Sequence, residues 1–221
     1  MRINKYVALA TGLGRRKADK VIQDGAILVN GAVATKGINV STNDSVFYNG
    51  KKLLIPEELT TIMLHKPVGY VCSRNGQGSR TIYDLLPKTL HHLKPVGRLD
   101  KDSSGLLLLT NDGTLANQLT HPAFTKTKVY EVTLNSALTK LDWSSIHEQG
   151  IVLPDGPSKL FLERLEPFND KNWQVTMHEG RNRQIRRTFA ALGYRVTKLH
   201  RTHFDNYKLG ILPSGKFQQS N

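Results

Sequence analysis

The sequence of 221 residues predicts an α+β fold, in which a small N-terminal α/β domain precedes a larger domain built on a mixed, mostly antiparallel sheet flanked by helices. Three observations support this fold class. Apolar residues recur at helical spacing near the N-terminus, many short strand-like segments with few helices follow, and Pro56 interrupts the pattern. We therefore predict domains at residues 1–55 and 61–221, with a linker at residues 56–60.

The first predicted domain contains two short helices and two hairpins. Apolar residues at helical spacing predict helices over residues 3–10 and 15–23. Asn30-Gly31 and Asn49-Gly50 are strong turn signals between short strands. The second helix carries four cations on its polar side, which either contact phosphates or form a solvated charged face: Arg15, Arg16, Lys17 and Lys20.

The second predicted domain is richer in strands than in helices. A proline-glycine turn at residues 67–69 separates its first two strands, and Lys66 beside this turn either meets phosphate or is simply exposed. Alternating residues from Lys126 to Leu134 predict a strand with two distinct faces. The further predicted elements are helices over residues 81–86, 114–119, 138–149 and 179–193, strands over residues 61–66, 70–72, 106–109, 160–165 and 173–177, and a strand with its turn over residues 150–156.

The composition favours a polyanionic partner. Lys and Arg number 31 against 18 Asp and Glu, so the formal net charge is +13, and nucleic acid is the first partner this suggests. No window approaches the roughly 18 apolar residues of a membrane span, and residues 1–5 lack the apolar core of a signal peptide. Cys72 is the single cysteine, so we expect no internal disulfide and a cytoplasmic location. Metal-ligand spacing is absent from the sequence, and we expect no metal site.

Positive charge is concentrated in residues 178–203. This segment contains seven Lys and Arg against Glu179 alone, a net charge of +6. Such a density is better explained by binding a polyanion than by solubility.

A polar segment in the middle of the chain combines two carboxylates with two cations. It extends from Gly97 to Gly105, contains Asp100 and Asp102, and leads directly into the apolar strand of residues 106–109. A loop is therefore held against a buried strand. Carboxylates at such a position are either solvated loop charges or functional groups, and spacing alone favours solvated loop charges.

The same segment resembles the signature of a known enzyme family. Gly97-Arg98-Leu99-Asp100, followed by Ser104-Gly105-Leu106 and Thr110-Asn111-Asp112-Gly113, is similar to the motif of the ribosomal RNA pseudouridine synthases of the small-subunit type. Residues 1–55 resemble the RNA-binding module first known from the fourth protein of the small ribosomal subunit. Both resemblances agree with the excess of positive charge.

Four further motifs extend the resemblance along the chain. They are Leu64-x-Lys66-Pro67-x-Gly69, Lys128-x-Tyr130, Gly180-Arg181-x-x-Gln184-Ile185-Arg186-Arg187 and Leu199-x-Arg201. The family resemblance implies that Asp100 is the essential catalytic residue, that Tyr130 stacks on the target base and that Arg186 pairs with Asp100. It places Arg98, Leu99, Ile185 and Leu199 at the substrate pocket, and it implies a closing strand over residues 208–217. From the ribosomal-protein module, the motifs and the dense positive charge together, the residues predicted to bind RNA are Arg15, Arg16, Lys17, Lys20, Lys66, Arg181, Arg183, Arg187 and Arg201.

The implied activity is the isomerisation of a specific uridine in ribosomal RNA to pseudouridine. This reaction involves no redox change or phosphate transfer, so we expect no cofactor. The expected partner is ribosomal RNA or a pre-ribosomal particle, with no membrane association, and the expected state is a monomer. The target uridine and the subunit RNA that contains it stay open at this stage.

Two other functions are compatible with parts of the sequence. A non-catalytic RNA-binding protein would explain the charge and the first domain, but it gives Asp100, Tyr130 and Arg186 no joint purpose. A glycoside hydrolase would use Asp100 with Asp102. On an extended segment these two carboxylates would point to opposite faces, which is poor geometry for a pair flanking one bond.

Overall fold

The computed structural model describes residues 1–41, 43–55, 58–121 and 123–220. The chain forms two compact units, Met1–Thr60 with Thr89–Lys94, and Thr61–Lys88 with Pro95–Asn221. The predicted domain boundaries stay a prediction, and Pro56 and Glu57 of the predicted linker lie outside the described residues. Within the described parts of the chain, none of the helices has the length and apolar character needed to span a bilayer.

The smaller unit packs two helices against a four-stranded antiparallel sheet with the strand order β2-β1-β3-β4. The turn residues Asn30 and Gly31 both have positive φ, at 52° and 86°, as a tight hairpin between β1 and β2 requires. Ile3, Ala18 and Val46 are fully buried in the core of this unit. Its elements are α1 (Ile3–Thr11), α2 (Arg15–Gln23), β1 (Ile27–Val29), β2 (Ala32–Val33), β3 (Val46–Tyr48) and β4 (Lys51–Lys52).

The rest of the chain contains eleven strands and three α-helices among the described residues. The strands are β5 (Thr61–Lys66), β6 (Lys94–Pro95), β7 (Ser104–Thr110), β8 (Lys128–Leu134), β9 (Ile151–Leu153), β10 (Gly156–Ser158), β11 (Phe161–Arg164), β12 (Asn172–Met177), β13 (Val196–Phe204), β14 (Tyr207–Lys208) and β15 (Phe217–Gln219). The helices are α3 (Gly113–Thr120), α4 (Lys140–Ser144) and α5 (Gln184–Ala190), with short 3₁₀ helices at Ile82–Leu85 and Lys88–Leu90 and a π-helical turn at Ser145–Gln149.

The large sheet has the strand order β11-β12-β8-β13-β7-β5-β15. Along this order β13 is parallel to β7, and the other neighbouring strands are antiparallel. The predicted mixed, mostly antiparallel α+β fold is therefore confirmed. The long strands β7, β8 and β13 lie side by side at the centre of the sheet, so residues distant in sequence meet there.

A glycine allows the close approach of β7 and β13. Gly105 has a φ of +108°, and a Cβ atom on it would lie 2.2 Å from the carbonyl oxygen of Arg201. Any other residue would force the two strands apart. The motif glycine therefore sets the position of Arg201 beside the strand that follows Asp100.

Three predicted elements differ from the structure. Residues 70–72 do not form a strand, since Val71 makes only an isolated bridge to Thr81. The predicted helix from residue 179 begins at Gln184, because Arg183 has a left-handed backbone with a φ of 47° and cannot continue an α-helix towards the N-terminus. The predicted closing strand at 208–217 is divided into β14 and β15 by a segment with left-handed glycines.

Candidate active site

Asp100 lies in the loop before β7, at the edge of a pocket of about 270 Å³. The backbone turns at this point, and the amide of Ser103 donates to the carbonyl oxygen of Asp100 at 3.1 Å. The side chain of Asp100 is 34% exposed, so a ligand in the pocket can reach its carboxylate. Arg98 and Leu99 line the same pocket, as the sequence motif implies.

Lys66 holds this loop from beneath. Its side chain is fully buried at the end of β5, and Nζ donates to the carbonyl oxygens of Pro67, Asp100 and Ser103 at 3.1, 2.9 and 2.7 Å. Burial lowers the pKa of this ammonium group. The prediction that Lys66 either contacts phosphate or is exposed at a turn is therefore wrong, because the buried ammonium group donates its hydrogen bonds to backbone carbonyl oxygens.

Aromatic and apolar side chains form the walls of the pocket. Tyr130 on β8 is 8% exposed and pairs across the sheet with Arg201 on β13. Ile185 and Leu199 are also buried, and both line the pocket with Tyr130. Apolar side chains beside one carboxylate and several cations suit a flat ring with polar edges, such as a nucleobase.

Arg183, and not Arg186, is the cation that contacts Asp100 in the structure. Arg183 Nη1 lies 3.3 Å from Asp100 Oδ2. The guanidinium of Arg186 instead donates to the carbonyl oxygens of Val196 and Asp102, both at 2.8 Å, and its Nε lies 3.4 Å from Asp102 Oδ2. The expected pairing of Arg186 with Asp100 is thus corrected to a pairing of Arg183 with Asp100. Arg183 has a left-handed backbone conformation immediately before α5, and its side chain extends to the loop, whereas Arg186 within the helix is held beside β13.

The two carboxylates of the loop converge on Arg183. This guanidinium also donates to both carboxylate oxygens of Asp102, at 3.1 and 2.9 Å, and these hydrogen bonds hold the pKa of Asp102 below its ordinary value. The argument that Asp100 and Asp102 point to opposite faces fails, because residues 101 and 102 form a turn and not an extended strand. Asp102 is engaged by two arginines, however, and does not line the pocket.

Two of the arginines predicted to bind RNA make intramolecular hydrogen bonds and ion pairs instead. Arg181 donates to the backbone of Asp155, Gly156 and Pro157, and its Nη1 lies 3.0 Å from Asp155 Oδ1. Arg187 Nη2 lies 2.7 Å from the other oxygen of that carboxylate. These contacts join the β9–β10 turn to the segment around α5, so the structure gives both arginines a structural role.

The remaining predicted cations differ in exposure. Arg201 is only 2% exposed and lines the pocket, so its predicted contact with RNA stays a prediction for the pocket and not for the outer surface. The four cations of α2 are exposed, and the helix packs its Ala18 and Ile22 into the core of the smaller unit. These four are Arg15, Arg16, Lys17 and Lys20.

Several residues that line the pocket were not assigned to the site by sequence reasoning, and three of them are described here. Lys128 donates from Nζ to the carbonyl oxygen of Glu179 at 3.0 Å, and burial lowers its pKa. Its position two residues before Tyr130 on the same strand could have indicated a place in the pocket, since residues two apart on a strand have side chains on the same face. Met177 and Phe204 also line the pocket, and nothing in their local sequence pointed to the site.

Comparisons with known proteins agree with this geometry. Residues 60–191 match the family described as RNA pseudouridylate synthase, and residues 1–46 match the S4 domain. A crystal structure of a pseudouridylate synthase superposes with a TM-score of 0.71 at 34% sequence identity, covering 100% of this chain and 96% of that chain.

Curated relatives carry names of the same kind. The ribosomal large subunit pseudouridine synthase B of Bacillus subtilis is 38% identical, over 97% of this chain and 89% of its own length. The ribosomal small subunit pseudouridine synthase A of Haemophilus influenzae is 36% identical, over 91% and 87%. The dual-specificity RNA pseudouridine synthase of Escherichia coli is 36% identical, over 99% and 74%.

The motif resemblance, the fold and the relatives agree over nearly the whole chain. An S4 domain precedes the pocket-bearing domain, in the order that the sequence predicted. The chain belongs to the RNA pseudouridylate synthase family, and it is an enzyme that isomerises uridine in RNA to pseudouridine.

Proposed function

We propose that this enzyme modifies a specific uridine of ribosomal RNA, with Asp100 as its catalytic carboxylate. One observation carries the assignment of Asp100: among the described residues that line the pocket, it is the single carboxylate. The names of the relatives support ribosomal RNA as the substrate, since they act on the large or the small ribosomal subunit.

The reaction explains why one carboxylate is enough. Pseudouridine forms when the bond from ribose C1′ to uracil N1 breaks, the uracil turns, and C5 takes the place of N1. A carboxylate at the junction of sugar and base can act on C1′, on the uracil ring or on a sugar proton, and each of these roles begins from the ionised form. Arg183, 3.3 Å away, provides positive charge beside that anion.

Tyr130 is proposed to hold the target base. A uridine must leave its stack to reach a pocket with this carboxylate at its edge, which costs a few kcal/mol. Stacking on an aromatic side chain contributes about 1–3 kcal/mol per base and offsets part of that cost. The position of Tyr130 in the pocket wall beside Ile185 and Leu199 suits this contact.

The S4 domain is proposed to bind RNA through the exposed cations of α2. Contacts of this kind with phosphate position an RNA without reading its sequence. The domain would thus add affinity, whereas the pocket selects the nucleotide. We also propose that the enzyme acts as a monomer in the cytoplasm, on ribosomal RNA that is free or within a pre-ribosomal particle.

Neutralising the α2 cations should weaken RNA binding and reduce its salt dependence. We expect the fourfold glutamine variant of Arg15, Arg16, Lys17 and Lys20 to lower the slope of log K against log salt by about 3. A matched control replaces four other exposed lysines, Lys88, Lys140, Lys159 and Lys171, and so removes the same charge. Filter binding at several salt concentrations measures both slopes, and equal slopes for the two variants would exclude α2 as an RNA contact.

The target can be found by mapping pseudouridine in ribosomal RNA. Pseudouridine retains a carbodiimide adduct that stops reverse transcription, so cells with and without this chain should differ at a defined position. Wild-type protein should restore the stop, and the Asp100→Asn variant should not. If all stops persist without the chain, ribosomal RNA is not its substrate.

A further inference from the structure

Arg201 is a buried cation that forms no ion pair with any residue that the structure describes. It lies on β13 with 2% of its surface exposed, and its Nε donates to the carbonyl oxygen of Leu106 at 2.8 Å. The guanidinium lies over the ring of Phe204, 4.9 Å from its centroid. Within the described parts of the chain, its Nη2 atom is shielded from water and has no hydrogen-bond partner.

An unsatisfied donor of this kind calls for an explanation. A buried polar group left without a partner costs about 1–3 kcal/mol, and more when it is charged. Arg201 lines the same pocket as Asp100 and Tyr130. A ligand that enters this pocket is therefore the natural source of the missing acceptor.

The fold fixes the position of this guanidinium relative to the base. Arg201 and Tyr130 are partners across β13 and β8, so their Cβ atoms are about 4.5–5.5 Å apart. The close approach at Gly105 holds the backbone of Arg201 on its other side. A uracil stacked on Tyr130 would thus lie beside Arg201.

A second cation adds to the positive charge of this part of the pocket. Lys128 Nζ lies 5.6 Å from the centroid of the Phe204 ring that Arg201 also contacts, and the two cations repel each other. Both line the pocket, in which Asp100 is the only carboxylate among the described lining residues. The site is thus electropositive where the base would lie.

The acceptor that fits Arg201 is the base and not a phosphate. Phosphates stay on the hydrated surface of RNA, where exposed cations meet them. Arg201 is instead covered and has the apolar Leu199 and Phe204 as pocket neighbours. These surroundings suit a flat ring with carbonyl oxygens on its edge.

We infer that Arg201 is a catalytic residue that stabilises the uracil anion released during the reaction, with Nη2–H donating to one of its carbonyl oxygens. This role rests on the proposed function. When the N1–C1′ bond breaks, its electron pair leaves with the uracil and spreads over the ring oxygens and nitrogens. C5 then bonds to C1′, the C5 proton is lost, and N1 gains a proton, so the product is an isomer of the substrate. A fixed donor shielded from water stabilises such a transient charge more than water would.

The test compares wild type and Arg201→Met in single-turnover reactions with uridine or 5-fluorouridine at the target. With uridine we expect a loss of about 10²- to 10³-fold in rate, the usual effect of removing one such donor. Fluorine withdraws electrons and therefore stabilises the departing base. When the reaction is followed as the loss of 5-fluorouridine, the fold-reduction in rate caused by Arg201→Met should be at least about tenfold smaller than with uridine. A merely structural defect would slow both substrates by the same factor.

Binding measurements separate the remaining outcomes. RNA affinity and its salt slope should be unchanged, whereas loss of a phosphate contact would lower the slope by about 1 and would overturn the inference. An unchanged uridine rate would also overturn it. If Arg201→Met does not fold, Arg201→Lys keeps the charge without Nη2 and should show the same smaller penalty with 5-fluorouridine. Wild-type enzyme that forms no pseudouridine would instead refute the proposed function itself.

Discussion

Asp100→Asn is expected to lower the rate of pseudouridine formation by at least about 10⁴-fold, equivalent to about 5 kcal/mol of activation free energy. Asparagine keeps the size and the hydrogen-bonding capacity of the side chain, but it carries no negative charge. Each of the three roles open to Asp100 needs that charge. Because the side chain is 34% exposed and lies at the edge of the pocket, the fold should be little affected.

The measurement is a single-turnover assay with carbodiimide detection, together with RNA affinity and thermal unfolding. We expect RNA affinity within a few-fold of wild type, because the RNA contacts proposed here lie on α2 and at the pocket walls. Asp102→Asn is the matched control. It removes the same charge only two residues from Asp100, but the side chain of Asp102 does not line the pocket. Its rate should fall by less than about tenfold. A rate for Asp100→Asn near that of wild type would remove Asp100 from the mechanism.

The fold class could be predicted because local signals dominate most of the chain. Asn-Gly turns, alternation in β8 and the apolar run in β7 each identify their elements without tertiary information. The longest strand, β13, was missed. Its residues Lys198, His200, Arg201 and His203 conceal the alternation, and register shifts interrupt its pairing with β8. Tertiary pairing between β7 and β8 stabilises this strand despite its polar sequence.

The site could be predicted in its motif residues but not in its contacts. Asp100, Tyr130, Ile185 and Leu199 line one pocket, as the resemblance implied. Which arginine reaches Asp100 depends on the backbone of Arg183, whose left-handed conformation has no local sequence signal. Whether a given lysine or arginine lies on the surface or in the pocket likewise depends on its burial. The sequence alone does not indicate how deeply a single charged residue is buried.

Lys66 shows the same limitation most clearly. A lysine beside a proline-glycine turn usually has its charge in water. Here β5 ends beneath the loop of Asp100, and three carbonyl oxygens point at the buried ammonium. Because these carbonyl oxygens point into the protein, a hydrogen-bond donor from the protein must satisfy them, and the ammonium group of Lys66 is that donor. Lys66 is therefore a positioning residue for Asp100, and the consequence can be measured.

Lys66→Met should lower both stability and activity. The substitution keeps an unbranched side chain but leaves the carbonyl oxygens of Pro67, Asp100 and Ser103 without this donor, at about 1–3 kcal/mol for each group that water does not reach. We expect the free energy of unfolding to fall by about 3 kcal/mol. We expect the single-turnover rate to fall by about 10²-fold, because a loop displaced by about 1 Å misplaces the carboxylate.

Lys101→Met provides the control for this prediction. Lys101 lies in the same loop and loses the same charge, but its side chain is exposed and donates to the hydroxyl of Ser79 at 3.1 Å. Its free energy of unfolding should change by no more than about 0.5 kcal/mol. Denaturant unfolding and single-turnover rates of both variants decide the question. If Lys66→Met matched Lys101→Met in both, the loop would hold Asp100 in place by itself, and the buried ammonium would have no part in positioning the carboxylate.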